Sequence, residues 1–251
     1  MTAFGDLHRP GRPLVLANVW DVGSARAMVS AGFPAVGTTS LGVAASHGLP
    51  DAARAARDQT LACAAALMRA RLGCFVTCDI EDGFSDEPAE VADLVRQLGV
   101  DGVNLEDDTF GRLIPAAAQV AKIRAVKALV PDVFVNARTD VFWLGDGTLG
   151  DAIERAKQYV DAGADGVFLP GRLDAGTIAA FVKAIDAPVN VLASATLSAR
   201  DLADLGVARI STGSLPYRAA LRQAVLAATA VRDGDRLPEA MGYDEVQALH
   251  S

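Results

Sequence analysis

The feature that most constrains this fold is a repeated alternation of short apolar, β-branched runs with longer alanine-rich segments. The short runs predict strands, and the alanine-rich segments predict helices. Strands are predicted at residues 14–19, 35–39, 75–78, 102–105, 133–136, 166–169, 189–192 and 208–211. Helices are predicted at residues 24–31, 51–71, 88–98, 116–129, 149–162, 175–185, 198–205 and 215–231, with Ser24 near the N-cap of the first.

Four of these helices end in a glycine, and the next strand follows after one or two intervening residues. The four pairs are Ala31-Gly32, Leu98-Gly99, Ala162-Gly163 and Leu205-Gly206. Glycine at this position supplies the left-handed helix cap. The strands are wholly apolar, as in parallel sheets covered on both faces. Eight strand–helix units in 251 residues therefore predict one α/β domain, residues 1–251, folded as a (β/α)8 TIM barrel, with an open doubly wound sheet as the alternative.

Composition excludes several classes of partner. The net charge of -8 disfavours nucleic-acid binding, because an acidic chain repels phosphate backbones. The apolar runs are too short to span a membrane, and the first residues lack the regions of a signal peptide. The three cysteines, an odd and sparse set, indicate reduced thiols. We therefore expect a cytoplasmic protein without a membrane or nucleic-acid partner.

In a barrel of this kind, chemistry takes place at the carboxyl ends of the strands. Asp79 and Glu81 follow the third predicted strand, and Glu106 follows the fourth. Clustered carboxylates repel one another unless a cation lies between them. A site with few protein ligands and several bound waters suits Mg²⁺, and Mn²⁺ is the alternative ion. The competing interpretation is that these carboxylates cap the following helices.

Arg138 follows the fifth strand directly. Its guanidinium is predicted to bind a substrate carboxylate in a bidentate contact, and the alternative is a structural ion pair. A divalent metal and an arginine together suit a 2-oxo acid, whose enolate the metal would stabilise.

The order of these motifs resembles the isocitrate lyase/phosphoenolpyruvate mutase superfamily. The matching stretches are Asn18-Val19-Trp20-Asp21, Ser24-Ala25-Arg26, Thr38-Thr39-Ser40, Asp79-Ile80-Glu81-Asp82-Gly83-Phe84, Gly102-Val103-Asn104-Leu105-Glu106-Asp107, Ala137-Arg138-Thr139-Asp140 and Ala162-Gly163-Ala164-Asp165. The resemblance implies a Mg²⁺-dependent barrel enzyme that acts next to a 2-oxo carboxylate, and a homo-oligomer, dimer or tetramer, in which a C-terminal helix is available for exchange.

The resemblance also implies roles for individual residues. Asp79 corresponds to the direct metal ligand, and Glu81 and Glu106 to carboxylates that hold metal-bound waters. Asp51 corresponds to an acidic residue near the metal, and with Glu106 and Arg138 it forms the predicted catalytic set. The predicted substrate contacts are Trp20, Thr39, Ser40, Leu41, Asp79, Arg138 and Asn190.

The chain departs from the family after Glu106. The lyases carry a Lys-Lys-Cys-Gly-His loop there, but residues 107–115 contain no cysteine, histidine or lysine. The loop of the phosphonopyruvate-processing members is also absent, and Pro170 replaces their histidine. Asp107 or Asp108 is one replacement for the missing acid, and His47 is another candidate. Cys78, within a strand, is expected to be inert.

The sequence thus predicts a Mg²⁺-dependent lyase that cleaves a carbon–carbon bond next to a 2-oxo acid through an enolate. Two alternatives remain open. One is carbon–phosphorus chemistry of the phosphonopyruvate mutase or hydrolase type, and the other is a non-catalytic 2-oxo acid binding protein. A phosphosugar enzyme is disfavoured, because residues 193–196, which follow the seventh strand, contain no glycine.

Overall fold

Eight parallel strands close into a barrel in the computed structural model, which describes residues 3–249. The barrel strands are β1 (Leu14–Val19), β2 (Ala35–Thr38), β3 (Phe75–Asp79), β4 (Gly102–Glu106), β7 (Phe134–Arg138), β8 (Gly166–Leu169), β9 (Val189–Leu192) and β10 (Arg209–Ser211). The ring is closed by β1 and β10, where Leu14 pairs with Arg209. The predicted (β/α)8 barrel is confirmed, and the doubly wound alternative is excluded.

Helices surround the barrel. They are α1 (Val22–Ser30), α2 (Ser40–Ser46), α3 (Arg57–Arg69), α4 (Pro88–Leu98), α5 (Ala116–Leu129), α6 (Val141–Leu144), α7 (Leu149–Asp161), α8 (Ala175–Ala184), α9 (Ala199–Asp204), α10 (Leu215–Asp233) and α11 (Tyr243–Ala248). A short hairpin of β5 (Asp108–Thr109) and β6 (Arg112–Leu113) lies between β4 and α5. None of the helices within residues 3–249 combines the length and hydropathy needed to cross a membrane.

The helix predicted to begin at Asp51 instead begins at Arg57. Residues 50–56 form an irregular segment because Ala52 and Arg54 have φ angles of 53° and 55°, which a right-handed helix excludes. The N-cap of α1 is Asp21, and Ser24 lies three residues after it. The Asp21 carboxylate accepts a hydrogen bond from Ser24 N at 2.7 Å, and the Ser24 hydroxyl completes a capping box.

The barrel strands are two-faced, which corrects the expectation of wholly apolar strands. Residues on the outer face, such as Val103, Leu105 and Val135, pack against the helices in an apolar cluster. The inner-face residues change from apolar to polar and charged toward the carboxyl end of the barrel. In β7 they are Phe134, Asn136 and Arg138, in that order. Alternate residues of a strand point to opposite faces, so one set of side chains from each barrel strand fills the interior and the other set packs against the helices.

The interior layers set the chemistry of the two barrel ends. At the amino end, Phe4 packs with Leu14, Leu16 and Phe134 and fills the opening. The middle layer holds buried polar residues, including Asn104 and Arg209, and the carboxyl end holds the carboxylates. The polar site is therefore open at one end only.

Candidate active site

A small cavity lies at the carboxyl end of the barrel, as the strand pattern predicts. Its volume is about 140 Å³, several times the roughly 30 Å³ that one water occupies in the liquid. Its lining residues are Asn18, Thr39, Ser40, Leu41, Asp51, Ala52, Asp79, Asn104, Glu106, Asp108, Arg138, Trp143, Phe168, Pro170, Leu192, Ser211, Gly213 and Ser214. The size suits a compact ligand of a few heavy atoms.

Carboxylates dominate the polar part of this lining. Asp51, Asp79, Glu106 and Asp108 face the cavity. Burial raises the pKa of Asp79, and the charge of Arg138 offsets part of that rise. Burial also raises the pKa of Glu106 well above its usual range and raises that of Asp108. Three of these side chains, Asp79, Glu106 and Asp108, therefore share a space where their ionised forms are disfavoured unless a cation compensates them.

Arg138 supplies part of that compensation. Its Nη1 lies 2.7 Å from Glu106 Oε2, and its Nε donates to Asp140 Oδ1 at 2.8 Å. Its Nη2 lies 2.8 Å from the same Asp140 oxygen. Trp143 and Phe168 lie against the guanidinium, each ring centroid 5.7 Å from Cζ. A guanidinium has five N–H groups, and these contacts use three of them, so two remain for a ligand.

The donor set fits a hard divalent cation. Ligand oxygens of Glu106, Asp108 and Asp140 lie within 4.8 Å of one another. Asp140 Oδ2 and Glu81 Oε1 are buried and have no hydrogen-bond partner among the described residues. Carboxylate oxygens are the ligands that Mg²⁺ prefers. Among residues 3–249, the site has more carboxylates than positively charged groups, and some of its buried acceptor oxygens have no partner. A divalent cation would neutralise that negative charge.

Seven of the ten predicted site residues meet at this cavity: Thr39, Ser40, Leu41, Asp51, Asp79, Glu106 and Arg138. Trp20, Glu81 and Asn190 do not line it. The Trp20 ring packs edge-on against Tyr217, with centroids 5.2 Å apart. Glu81 Oε2 accepts a hydrogen bond from Arg54 N at 3.0 Å, and burial raises the Glu81 pKa to about 7. Asn190 is buried, and both its side-chain polar atoms lack partners among residues 3–249.

Two asparagines that line the cavity, Asn104 and Asn18, are not among the predicted site residues. Asn104 Oδ1 accepts from Asn136 Nδ2 at 2.9 Å and from Arg209 Nη2 at 3.2 Å, so the Asn104 amide group turns toward Asp79. Asn18 accepts from the backbone N of Gly213 at 2.9 Å and ties β1 to the segment after β10. The alternation of residues along β1 and β4 is the signal that could have identified both.

The β5–β6 hairpin occupies the place of the family loop. Asp107 is fully buried and accepts hydrogen bonds from Tyr159 Oη at 2.6 Å and Asp140 N at 2.8 Å, so it supports the structure instead of facing a ligand. Asp108 lines the cavity, whereas His47 lies on an exposed loop outside it. The cavity lining contains no cysteine, histidine or lysine.

A family model described as phosphoenolpyruvate phosphomutase matches residues 4–232. The chain belongs to this family. A Mycobacterium tuberculosis protein (strain ATCC 25618 / H37Rv), named as uncharacterized, is 51% identical over 249 residues, which are 98% of this chain and 95% of the relative. The 2-methylisocitrate lyase of Escherichia coli (strain K12) is 30% identical over 209 residues, 73% of this chain and 69% of the relative.

The solved structures show the same relationship. The structure of phosphonopyruvate hydrolase in complex with oxalate and Mg²⁺ matches with a TM-score of 0.85 at 26% identity, covering 99% of this chain and 95% of that chain. The predicted membership of the isocitrate lyase/phosphoenolpyruvate mutase superfamily is confirmed. The family includes a mutase, a lyase and a hydrolase, so membership alone does not select the bond that this chain breaks.

Proposed function

We propose that this protein is a divalent-cation-dependent lyase that cleaves a carbon–carbon bond next to a 2-oxo acid or carboxylate, leaving an enolate. One observation supports the proposal most directly. Four carboxylates and one arginine with spare N–H groups line the same small cavity at the barrel's carboxyl end. Such a cavity binds a compact anion and a cation together.

Arg138 holds the substrate carboxylate in this proposal. Its two remaining N–H groups donate, while Glu106 and Asp140 fix its plane. Thr39, Ser40 and Leu41, at the start of α2, form another part of the lining. Trp20 and Asn190 stay predictions as substrate contacts, because neither lines the cavity.

Asp79 and Glu106, at the ends of adjacent strands, would hold the metal, Mg²⁺ or Mn²⁺. Glu81 stays a predicted ligand to the metal's waters, and Asp51 stays a predicted catalytic neighbour. When bound, the ion supplies positive charge that stabilises negative charge developing on substrate oxygens. The chain's own part is to orient the carboxylate, exclude bulk water and move a proton.

Asp108 is our candidate for the group that moves the proton. The hairpin places this carboxyl group in the cavity, where Arg112 N donates to its Oδ1 at 2.8 Å. Asp107 is unsuited because its carboxylate is already fully engaged. The absence of a cysteine, histidine or lysine from the lining favours a carboxyl acid here.

Two other functions use the same cavity. Carbon–phosphorus chemistry on phosphonopyruvate shares the metal and arginine, and the phosphoenolpyruvate phosphomutase family match favours it. A non-catalytic 2-oxo acid binding protein is favoured by the absence of a thiol or imidazole acid from the lining.

A proton NMR time course separates the three functions. The protein is mixed with methylisocitrate, isocitrate, dimethylmalate, oxaloacetate and phosphonopyruvate, first with Mg²⁺ and then with EDTA. We expect Mg²⁺-dependent loss of one of the carbon–carbon substrates. Loss of phosphonopyruvate alone would establish the carbon–phosphorus function. Binding of one compound without turnover would support the binding protein.

We also propose a cytoplasmic homo-oligomer, dimer or tetramer. The three cysteines are unpaired, as in reducing compartments. Exposed apolar side chains continue along α10 and beyond it, including Leu221, Val225, Leu226 and Val231, and such patches mark interaction surfaces. Light scattering after size-exclusion chromatography tests this proposal, and a monomer at all concentrations would contradict it.

A further inference from the structure

Three segments contact one another beside the cavity, and we call them the mouth segments: residues 50–56 after α2, residues 80–86 after β3, and the hairpin 108–113. Residues 3–249 contain six non-glycine residues with positive φ, and five of them lie in these mouth segments: Ala52, Arg54, Glu81, Phe84 and Phe110. L-residues adopt this conformation rarely, and they keep it where surrounding contacts hold the chain. Some contact must therefore fix all three segments.

Asp82, at the centre of the second segment, is 1% exposed. Its Oδ2 accepts from Thr109 Oγ1 at 2.6 Å and from Arg54 Nε at 2.9 Å, and Arg54 Nη2 also donates to it. Lys122 Nζ donates to the Asp82 backbone oxygen at 2.8 Å and lies 3.6 Å from the carboxylate. Asp82 thereby joins the first and third mouth segments to the body of the barrel through α5.

Arg54 is the side chain that touches all three segments. Its guanidinium binds Asp82 and also reaches Asp86 at 2.5 Å. Its Cζ lies 5.6 Å from the ring centroid of Phe110, at the tip of the hairpin. Its backbone N donates to Glu81 Oε2 at 3.0 Å. Charge-assisted contacts through a planar fork, with an aromatic face beside it, are a combination that lysine does not reproduce.

The held segments carry the cavity's carboxylates. Asp51 and Ala52 precede Arg54 in the first segment, and Asp108 adjoins Thr109 in the hairpin. We propose that Arg54 is a positioning residue, which holds Asp51 and Asp108 at the cavity by binding Asp82 and by packing against Phe110 of the hairpin. The consequence for metal and substrate rests on the proposed function, whereas the holding of the segments does not.

Amide hydrogen exchange of the metal-free protein in EDTA tests the holding. The variants are Arg54→Ala and Arg54→Lys, with Arg57→Ala as the control, because the one ion pair of Arg57 within residues 3–249 is with its exposed neighbour Asp58. For Arg54→Ala we expect exchange in residues 51–56 to accelerate by roughly tenfold to hundredfold, the factor for losing one charge-assisted hydrogen bond. Exchange in residues 108–113 should accelerate by roughly twofold to fivefold, the factor for losing an exposed cation–π contact. Arg54→Lys should fall between wild type and Arg54→Ala, and the barrel strands should be unchanged.

Titration with Mn²⁺, followed by electron paramagnetic resonance, tests the link to the cavity. We expect weaker Mn²⁺ binding in Arg54→Ala, partial recovery in Arg54→Lys, and wild-type binding in Arg57→Ala. Unchanged exchange in residues 51–56 and 108–113, or equal acceleration in the barrel strands, would overturn the inference. Faster segment exchange with wild-type Mn²⁺ binding would also overturn it. Neither measurement uses a substrate, so an unreactive substrate mixture would count against the proposed lyase alone.

Discussion

Acidification should destabilise this protein through His8, which is buried at the amino end of the barrel. The ring is 6% exposed and stacks on Phe134, with centroids 4.3 Å apart. Nδ1 donates to Phe4 O at 3.1 Å, and Nε2 has no partner among the described residues. Burial, aided by the nearby charge of Arg209, lowers the pKa of His8 to about 3.

The sign follows from proton uptake. Between pH 6.5 and 3 the unfolded chain binds a proton at His8 that the folded protein does not, so the free energy of unfolding falls as the pH falls. Each pH unit in that window costs about 1.4 kcal/mol. From about pH 7 to about pH 5, His8 should therefore remove about 2 kcal/mol of stability.

His8→Phe keeps a stacking ring and removes the titration. Urea unfolding of wild type and variant, in EDTA and followed by circular dichroism, gives the difference in unfolding free energy at each pH. That difference should be constant between about pH 7 and pH 8, and it should shift in favour of the variant by about 2 kcal/mol at about pH 5. A difference that does not depend on pH, or that shifts the other way, would refute this account of the barrel's closed end.

Three further outcomes are expected. Arg138→Leu should lower the free energy of unfolding in urea by about 3–5 kcal/mol, because it leaves buried carboxylates without a positively charged partner. The control Arg96→Leu, in an exposed ion pair, should lower it by under about 1 kcal/mol. Equal costs would contradict the buried-pair argument. Asp108→Asn should lower turnover in the NMR assay by a larger factor than it lowers Mn²⁺ affinity, because the proposed proton transfer is lost while the neighbouring carboxylates still bind the ion; equal factors would make Asp108 a metal ligand alone. Tyr159→Phe, which removes the hydrogen bond to Asp107, should cost about 1.5–3 kcal/mol in urea unfolding, and a neutral effect would show that this bond is dispensable.

The barrel could be predicted from the sequence because short apolar runs alternate eight times with alanine-rich segments, and four of those segments end in a glycine cap. The placement of Glu81 could not. A residue two positions after Asp79 would share its face if β3 continued, but β3 ends at Asp79 and Glu81 has a φ of 49°. The chain therefore turns, and Glu81 points toward Arg54 N instead of into the cavity.

The hairpin after β4 also escaped prediction. Its two turn residues, Phe110 and Gly111, both have positive φ, at 52° and 75°. Turns of this kind are usually signalled by Asn-Gly or Asp-Gly, and phenylalanine at the first position gives no such signal. The contact of Phe110 with Arg54 joins residues 56 positions apart, which no local pattern encodes.

Anomalous diffraction from a crystal grown with Mn²⁺ and oxalate tests the central claim most directly. We expect one strong Mn²⁺ peak in the cavity, within bonding distance of Asp79 or Glu106 or of waters they hold, and oxalate against the free N–H groups of Arg138. An empty cavity at saturating Mn²⁺, or a peak confined to other carboxylates of the surface, would contradict the proposed metal-dependent site.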